Sequence, residues 1–270
     1  MNPDWRNRYE EAVRAARDAG MIGMKYFPDA HSADFASQVE QKSDSSPVTR
    51  ADREAEALLR ERLLGTFPDD GFLGEEFGAS PGSSGFRWII DPIDGTRNFV
   101  RGIPIWGTLV GLEYRGEAIA GAIFIPPLGQ LFHALRGNGA FRDEQRIRVS
   151  TIDQLHKAQV FYSSIQWFQK AGCQDVFLEL ANYVERMRGF GDVYGHVLVA
   201  QGSGELMVEH GVHIWDVAAV KPIIEEAGGR YSTWDGSPAI DRPNVLVSNG
   251  LLHEAALRIL RQAGSSEKPA

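Results

Sequence analysis

Apolar positions along the chain change period several times, and each change marks an element. Across residues 5–27 they fall at Trp5, Tyr9, Val13, Ala16, Met21 and Met24 with Arg and Glu between them, the spacing of an amphipathic helix whose stripe faces a core. Residues 28–47 are mostly polar turn formers, a long loop that is either idle or an active-site lid. A second helix is expected over residues 51–64. Residues 72–76 then read as a short strand tipped by Glu75 and Glu76, and residues 79–85, rich in Ser and Gly, as a flexible connector. Residues 106–149 alternate short apolar strands with turns at Arg115-Gly116, Pro126-Pro127-Leu128-Gly129 and Gly137-Asn138-Gly139, the signals of an antiparallel sheet of hairpins. After Ser150 the elements lengthen: strands near 160–164, 205–209 and 245–247, and helices over 175–187, 193–201 and 251–260. Asp216 is expected to N-cap a helix that runs to residue 227, is distorted at Pro222 and stops at Gly228-Gly229. Residues 264–270 read as a frayed tail. The change of texture at residue 150 suggests two lobes, 1–150 and 151–270.

Composition narrows the partners. Hydrophobic residues make up 43% and charged residues 24% of the 270, ordinary for a globular enzyme. Acids outnumber bases by 36 to 28, a net charge of −8 that repels nucleic acid and anionic membranes yet lets a local cleft attract a small anion. Cys173 is the sole cysteine, so no intrachain disulfide can form. No run approaches the length of a membrane span, and the first residues lack the order of a secretory signal. A cytoplasmic location is expected.

The chemistry gathers around residues 88–99. An apolar run, Trp88-Ile89-Ile90, delivers Asp91 and Asp94 into a turn set by Pro92 and Gly95, so two carboxylates are aimed at one point. The amides of Gly95 and Thr96 can point at an anion if a helical turn starts there. Each dipeptide is by itself a common surface turn, but Asp-Pro-x-Asp-Gly-Thr would arise in roughly one chain in ten thousand at typical residue usage. Carboxylates beside an anion nest suggest a metal and a phosphate. Oxygen ligands favour a hard cation such as Mg²⁺, while His210, His213 and Asp216, spaced by three, keep a zinc alternative open. Glu75 and Glu76 point to opposite faces of their strand, so only one of them can share the site. Asp52, alone, reads as a helix-start residue favoured by the helix dipole. Gly137-Asn138-Gly139-Ala140 lacks the final glycine of a nucleotide loop and is assigned to a turn, and no Walker-type motif occurs.

Asp91-Pro92-Ile93-Asp94-Gly95-Thr96-Arg97-Asn98-Phe99 resembles the signature of the inositol monophosphatase superfamily, metal-dependent phosphomonoesterases. Lys42-Ser43-Asp44-Ser45-Ser46-Pro47-Val48-Thr49-Arg50-Ala51-Asp52 is similar to that family's Lys-x-Asp-x-Ser-Pro-Val-Thr-x-Ala-Asp segment, and further matches lie at residues 74–76 and 209–219. The resemblance implies a layered α/β/α/β/α sandwich of two lobes with the site between them, the first carrying most metal ligands and the second Asp216 and the substrate shell. It implies two or three Mg²⁺ ions. Glu75, Asp91, the Ile93 carbonyl and Thr96 would surround one ion, and Asp91, Asp94 and Asp216 another. Glu75, Asp52 and Thr96 would serve catalysis, the latter two by orienting water. Gly95 and Thr96 would hold the phosphate, with Lys42 in an auxiliary role. Homodimers are common in the family.

Two stretches bear on the leaving group. Glu209, seven residues before Asp216, matches the position at which inositol monophosphatases contact substrate hydroxyls. Gly191-Asp192-Val193-Tyr194-Gly195-His196 and Pro222-Ile223-Ile224-Glu225-Glu226-Ala227-Gly228-Gly229 resemble the histidinol-phosphate phosphatase branch, although His196 stands where tyrosine is usual there. Histidinol phosphate is therefore the expected substrate, with inositol 1-phosphate and 3′-phosphoadenosine phosphate as alternatives and a binding protein without turnover as the non-enzymatic one. Arg188, Asp192 and Glu209 are the expected substrate shell, each of which can instead be a solvated or ion-paired charge.

Overall fold

The structure, a computed structural model, describes residues 3–27, 39–41 and 47–263. Lys42, most of the expected loop and the tail lie outside the described residues. Helix α1 (Pro3–Tyr26) leads to the two-stranded pair β1 (Val39–Gln41) and β2 (Pro47–Thr49), and then to α2 (Arg50–Thr66). Next come β3 (Gly71–Gly74), β4 (Gly78–Ser80), β5 (Phe86–Asp94), the single turn α3 (Thr96–Phe99), β6 (Gly107–Tyr114), β7 (Glu117–Ile125), β8 (Gln130–Leu135), β9 (Gly139–Arg142) and β10 (Gln145–Arg146). The remainder comprises β11 (Gln159–Phe161), α4 (Ile165–Lys170), α5 (Gln174–Ala181), β12 (Arg186–Arg188), α6 (Asp192–Ala200), β13 (Leu206–His210), α7 (Ile214–Val217), α8 (Val220–Glu226), β14 (Arg230–Ser232), β15 (Asn244–Ser248) and α9 (His253–Ala263).

These elements make five layers. An eight-stranded sheet runs β10-β9-β8-β7-β6-β5-β3-β4, antiparallel except where β3 lies parallel to β5. A five-stranded sheet runs β12-β11-β13-β15-β14, with β12, β11 and β13 parallel. On α1, Ala12, Ala15, Ala16 and Ala19 form a fully buried stripe, which with Leu59 and Leu63 of α2 covers the outer face of the large sheet at Trp88, Val110 and Ala122. Helices α6 and α8 are sandwiched between the sheets, where Val197 and Ile224 pack with Leu109, Ile123, Met207 and Val247. The outer face of the small sheet is closed by α5 and α9 through Phe177, Leu257 and Leu260. The architecture is the expected α/β/α/β/α sandwich. No described helix is long and apolar enough to cross a membrane.

Three local expectations are corrected. The connector at 79–85 begins inside β4, an edge strand paired with β3. The helix expected over 175–187 ends at Ala181, and Arg186 to Arg188 instead pair parallel with β11, a long-range contact that local periodicity does not report. The helix after Asp216 breaks at Ala218-Ala219 into α7 and α8, rather than at Pro222 itself. Proline lacks an N–H for the carbonyl four residues back and clashes with it, and that carbonyl belongs to Ala218. The turn at Gly137-Asn138-Gly139 is present, and the Glu226 carboxylate ties it to α8 by accepting from Gly137 N at 2.7 Å and Gly139 N at 2.6 Å.

Candidate active site

Strand β5 aims its carboxylates through a bulge. Pro92 cannot donate to the ladder, so pairing with β6 skips from Asp91↔Leu109 to Asp94↔Gly107. The interrupted segment is rebuilt with side chains: Thr108 Oγ1 donates to Pro92 O at 2.7 Å, Ile93 N to Asp91 Oδ1 at 3.0 Å, and Thr96 Oγ1 to Ile93 O at 3.0 Å. Gly95 then turns the chain with φ 86, as the N-cap of α3.

Asp216 reaches this point from the other side. It is the third residue of α7 rather than its N-cap, and its Oδ2 accepts from His213 N at 2.7 Å. What brings α7 so close is a pair of glycines facing each other across β6 and β7, Gly111↔Gly121. A Cβ on Gly121 would stand 2.1 Å from Ala219 O, and one on Gly111 would stand 2.8 Å from Ala218 Cβ. The helix break thus seats its backbone directly on the sheet. Carboxylate oxygens of Asp91, Asp94 and Asp216 consequently lie within 4.8 Å of one another.

All three acids are held well above the usual carboxylate range, first by burial and then by neighbouring negative charges: Glu75 on Asp91 and Asp216, Asp192 on Asp94. Glu75 lies close enough to Asp91 to share a hydrogen bond with it. Crowded carboxylates, Asp91 buried and Asp94 and Asp216 half-buried, with only oxygen donors fit a hard divalent cation, which would relieve the repulsion. Among the described residues no metal-holding group includes a histidine, so the His210, His213 and Asp216 ladder is not assembled.

A cavity of about 330 Å³ opens on this cluster. Glu75, Asp91, Ile93 and Asp94 line it together with Gly95, Thr96 and Asp216, and so do Asp192 and Glu209. Asp192 is tied into the signature by Asn98 Nδ2, which donates to its Oδ2 at 3.0 Å, and Asp94 Oδ2 accepts from the neighbouring Val193 N. Burial and then the Glu209 charge push Asp192 up to about 7.

A sequence model of the inositol monophosphatase family matches residues 4–265. The chain belongs to this family. It is a phosphatase of phosphate monoesters, and inositol monophosphatases are metal-dependent, typically on Mg²⁺. A histidinol-phosphatase of Chlorobaculum parvum is 39% identical over 256 residues, 92% of this chain and 95% of that protein. An inositol-1-monophosphatase of Mesorhizobium japonicum is 33% identical over 256 residues, 93% and 94% of the two chains. The solved structure of the extragenic suppressor protein SuhB from Bartonella henselae matches with a TM-score of 0.86 at 31% identity, covering 94% of this chain and 98% of that one.

Two residues expected in the site stand apart from the cavity lining. Asp52, the third residue of α2, is buried, and its Oδ2 accepts from Thr49 N at 2.8 Å and Thr49 Oγ1 at 2.5 Å, a capping box. Burial, with Glu76 and Glu75 nearby, pushes it up to about 7. Arg188 is not brought to the cavity: it is exposed on the edge strand β12, and its Nη1 donates to Met187 O at 2.9 Å. Two partners were missed in the sequence. Glu56, fully buried one helical turn beyond Asp52, accepts from Glu76 N at 2.7 Å and Phe77 N at 2.9 Å, fixing the backbone that carries Glu75. Its place four residues after Asp52 was a usable signal. His196 Nε2 lies 2.8 Å from Glu209 Oε2, a pairing between separate elements that leaves no local trace.

Proposed function

We propose that the chain hydrolyses histidinol phosphate in a Mg²⁺-dependent reaction. The observation that carries the substrate is a second pair of acids in the cavity lining, Asp192 and Glu209, in which the Glu209 charge raises Asp192. An aminoalcohol cation would relieve that repulsion, whereas a neutral polyol would not. The identity with a histidinol-phosphatase over most of both chains supports the same reading.

Asp91, Asp94 and Asp216, with Glu75, the Ile93 carbonyl and Thr96, are the residues proposed to hold two or three ions. When bound, Mg²⁺ supplies Lewis-acid polarisation of the phosphate and charge neutralisation on the leaving oxygen. The backbone amides of Gly95 and Thr96 would hold the phosphate, and the Thr96 hydroxyl would orient the attacking water. Asp52, which stands behind the cavity lining and is pushed up to about 7 by burial, is proposed to help Thr96 orient that water. No covalent phosphoenzyme is required, and Arg188 has no part in this scheme. The proposal includes residues 1–150 and 151–270 as two lobes, a homodimer, and a cytoplasmic location, which the free Cys173 thiol suits.

The test is phosphate release from L-histidinol phosphate, inositol 1-phosphate and 3′-phosphoadenosine 5′-phosphate with Mg²⁺ and with EDTA. Histidinol phosphate should be preferred, and EDTA should abolish release. A preference for either other substrate would overturn the substrate assignment.

A further inference from the structure

We infer that His196 is a positioning residue for substrate selection: it orients the Glu209 carboxylate toward the leaving group and so sets the preference for leaving groups that carry hydrogen-bond donors. The inference takes the identity of that group, an aminoalcohol cation, from the histidinol phosphate reading, and the rest from geometry.

His196 and Glu209 both line the cavity and are 2% and 4% exposed. Among the described residues, the His196 ring is the single hydrogen-bond partner of the Glu209 carboxylate, at 2.8 Å. An ionised carboxylate accepts up to about four hydrogen bonds, so most of the capacity of Glu209 is left for a ligand. The other ring nitrogen fixes the tautomer. Nδ1 is buried with no partner, and a proton there would be an unpaired buried N–H while Nε2 turned a lone pair on the carboxylate. The proton therefore sits on Nε2 and donates to Glu209.

The packing shows how the ring comes to lie there. A Cβ on Gly195 would stand 2.5 Å from Met207 Sδ and 3.2 Å from Phe161 Cβ, so only glycine lets α6 settle this closely on β13. Met207 and Glu209 share one face of β13, two residues apart, and the residue after Gly195 is thereby brought against Glu209. One carboxylate oxygen is anchored from the helix side by this Nε2–H, and the other is left free of a protein partner among the described residues. The negative charge of Glu209 remains available to the substrate.

The test compares wild type with His196→Phe and His196→Leu, which lack a donor, and with His196→Gln, whose amide N–H can replace Nε2–H. Steady-state kinetics are measured at saturating Mg²⁺ on histidinol phosphate and on phenyl phosphate, whose leaving group has no donor, and thermal unfolding is followed alongside. The non-donor variants should raise KM for histidinol phosphate about tenfold, as expected for a lost charge-assisted hydrogen bond, with a smaller change in kcat. KM for phenyl phosphate should rise at least about threefold less, and His196→Gln should recover most of the loss. Equal losses on both substrates, or no difference between Gln and the non-donor variants, would mean that His196 is only a packing residue. Should wild type prefer inositol 1-phosphate, the substrate reading fails while the same comparison on that substrate still decides the role of His196: recovery by Gln upholds it, and an equal loss overturns it.

Discussion

At the scale of single residues, the site is built from carboxylates whose second task is structural. Asp52 and Asp216 are each the third residue of a helix, and each uses Oδ2 to accept the amide of the residue before that helix. Such a cap fixes the side chain while leaving the other oxygen for chemistry, so the capping and functional readings of these residues coexist. Asp91 is different, because its bond from the backbone, Ile93 N, falls on an oxygen that asparagine also possesses. Asp91→Asn should therefore keep the fold. Phosphate release at saturating Mg²⁺ should fall by about a hundredfold or more, because a central anionic ligand is lost. In EDTA its melting temperature should equal or exceed that of wild type, since the change removes one of the crowded acids. Near-normal turnover would remove Asp91 from the site. Glu56 makes the opposite case. Glu56→Gln turns an NH₂ group toward one of the two amides it serves, at a cost of about 1–3 kcal/mol, and should loosen the backbone behind Glu75. The expected result is a lower melting temperature together with a raised Mg²⁺ requirement; an unchanged Mg²⁺ dependence would show that Glu56 supports the fold alone.

At the scale of elements, the cross-strand glycine pair Gly111↔Gly121 decides where Asp216 lies. Gly121→Ala forces a methyl against the Ala219 carbonyl, an overpacking that should cost about 1–3 kcal/mol and displace α7. Its melting temperature should fall and its Mg²⁺ requirement should rise. Gly65→Ala, in α2 with open space around the new methyl, is the matched control and should stabilise by roughly 0.4–1 kcal/mol. If both substitutions left the Mg²⁺ requirement unchanged, the glycine seat would have no bearing on the site. This scale also explains what could be read in advance. Helix α1, the hairpins of β6 to β9 and the Asp-Pro-x-Asp turn are written in contiguous residues, and so are legible, although the expected stripe of α1 passed over Ala12, Ala15 and Ala19 and included Met21, which is 51% exposed. The parallel pairing of β12 with β11 is not, and residues 175–187 look helical until that partner is known. Arg188, expected in the substrate shell, lies exposed on the edge strand β12, and residue type carries no information about which side of a strand faces a cavity. The break at Ala218-Ala219 was misplaced because the constraint from a proline acts four residues upstream.

At the scale of the whole molecule, the acids link stability to pH and to the cation. Asp52 and Asp192 are pushed up to about 7 from the ordinary value of 3.8, chiefly by burial, and Asp91, Asp94 and Asp216 are also raised. Between these values the folded chain holds more protons than the unfolded one, so its stability falls as pH rises. The stabilisation is complete below about pH 4 and is lost as pH climbs through about 7 and beyond, as far as these groups are concerned. The melting temperature measured in EDTA should therefore decline between about pH 5 and pH 8. A cation bound to the folded state alone stabilises it by RT ln(1 + [L]/Kd), about 2.7 kcal/mol at a hundredfold excess over Kd. It competes with the protons on these acids, so the rise in melting temperature on adding Mg²⁺ should be small near pH 5 and largest near pH 8. The gain should be global rather than local. Asp91 and Asp94 end the central strand β5, Asp216 belongs to α7 just before the buried α8, and the Asp94 carboxylate also receives the Val193 amide at the start of α6. An ion among these acids would therefore join the large sheet to the helices packed between the two sheets. Thermal scans across pH, with and without Mg²⁺, read this directly: a Mg²⁺-induced shift that is flat or shrinks as pH rises would show that the raised acids are not the groups the cation meets.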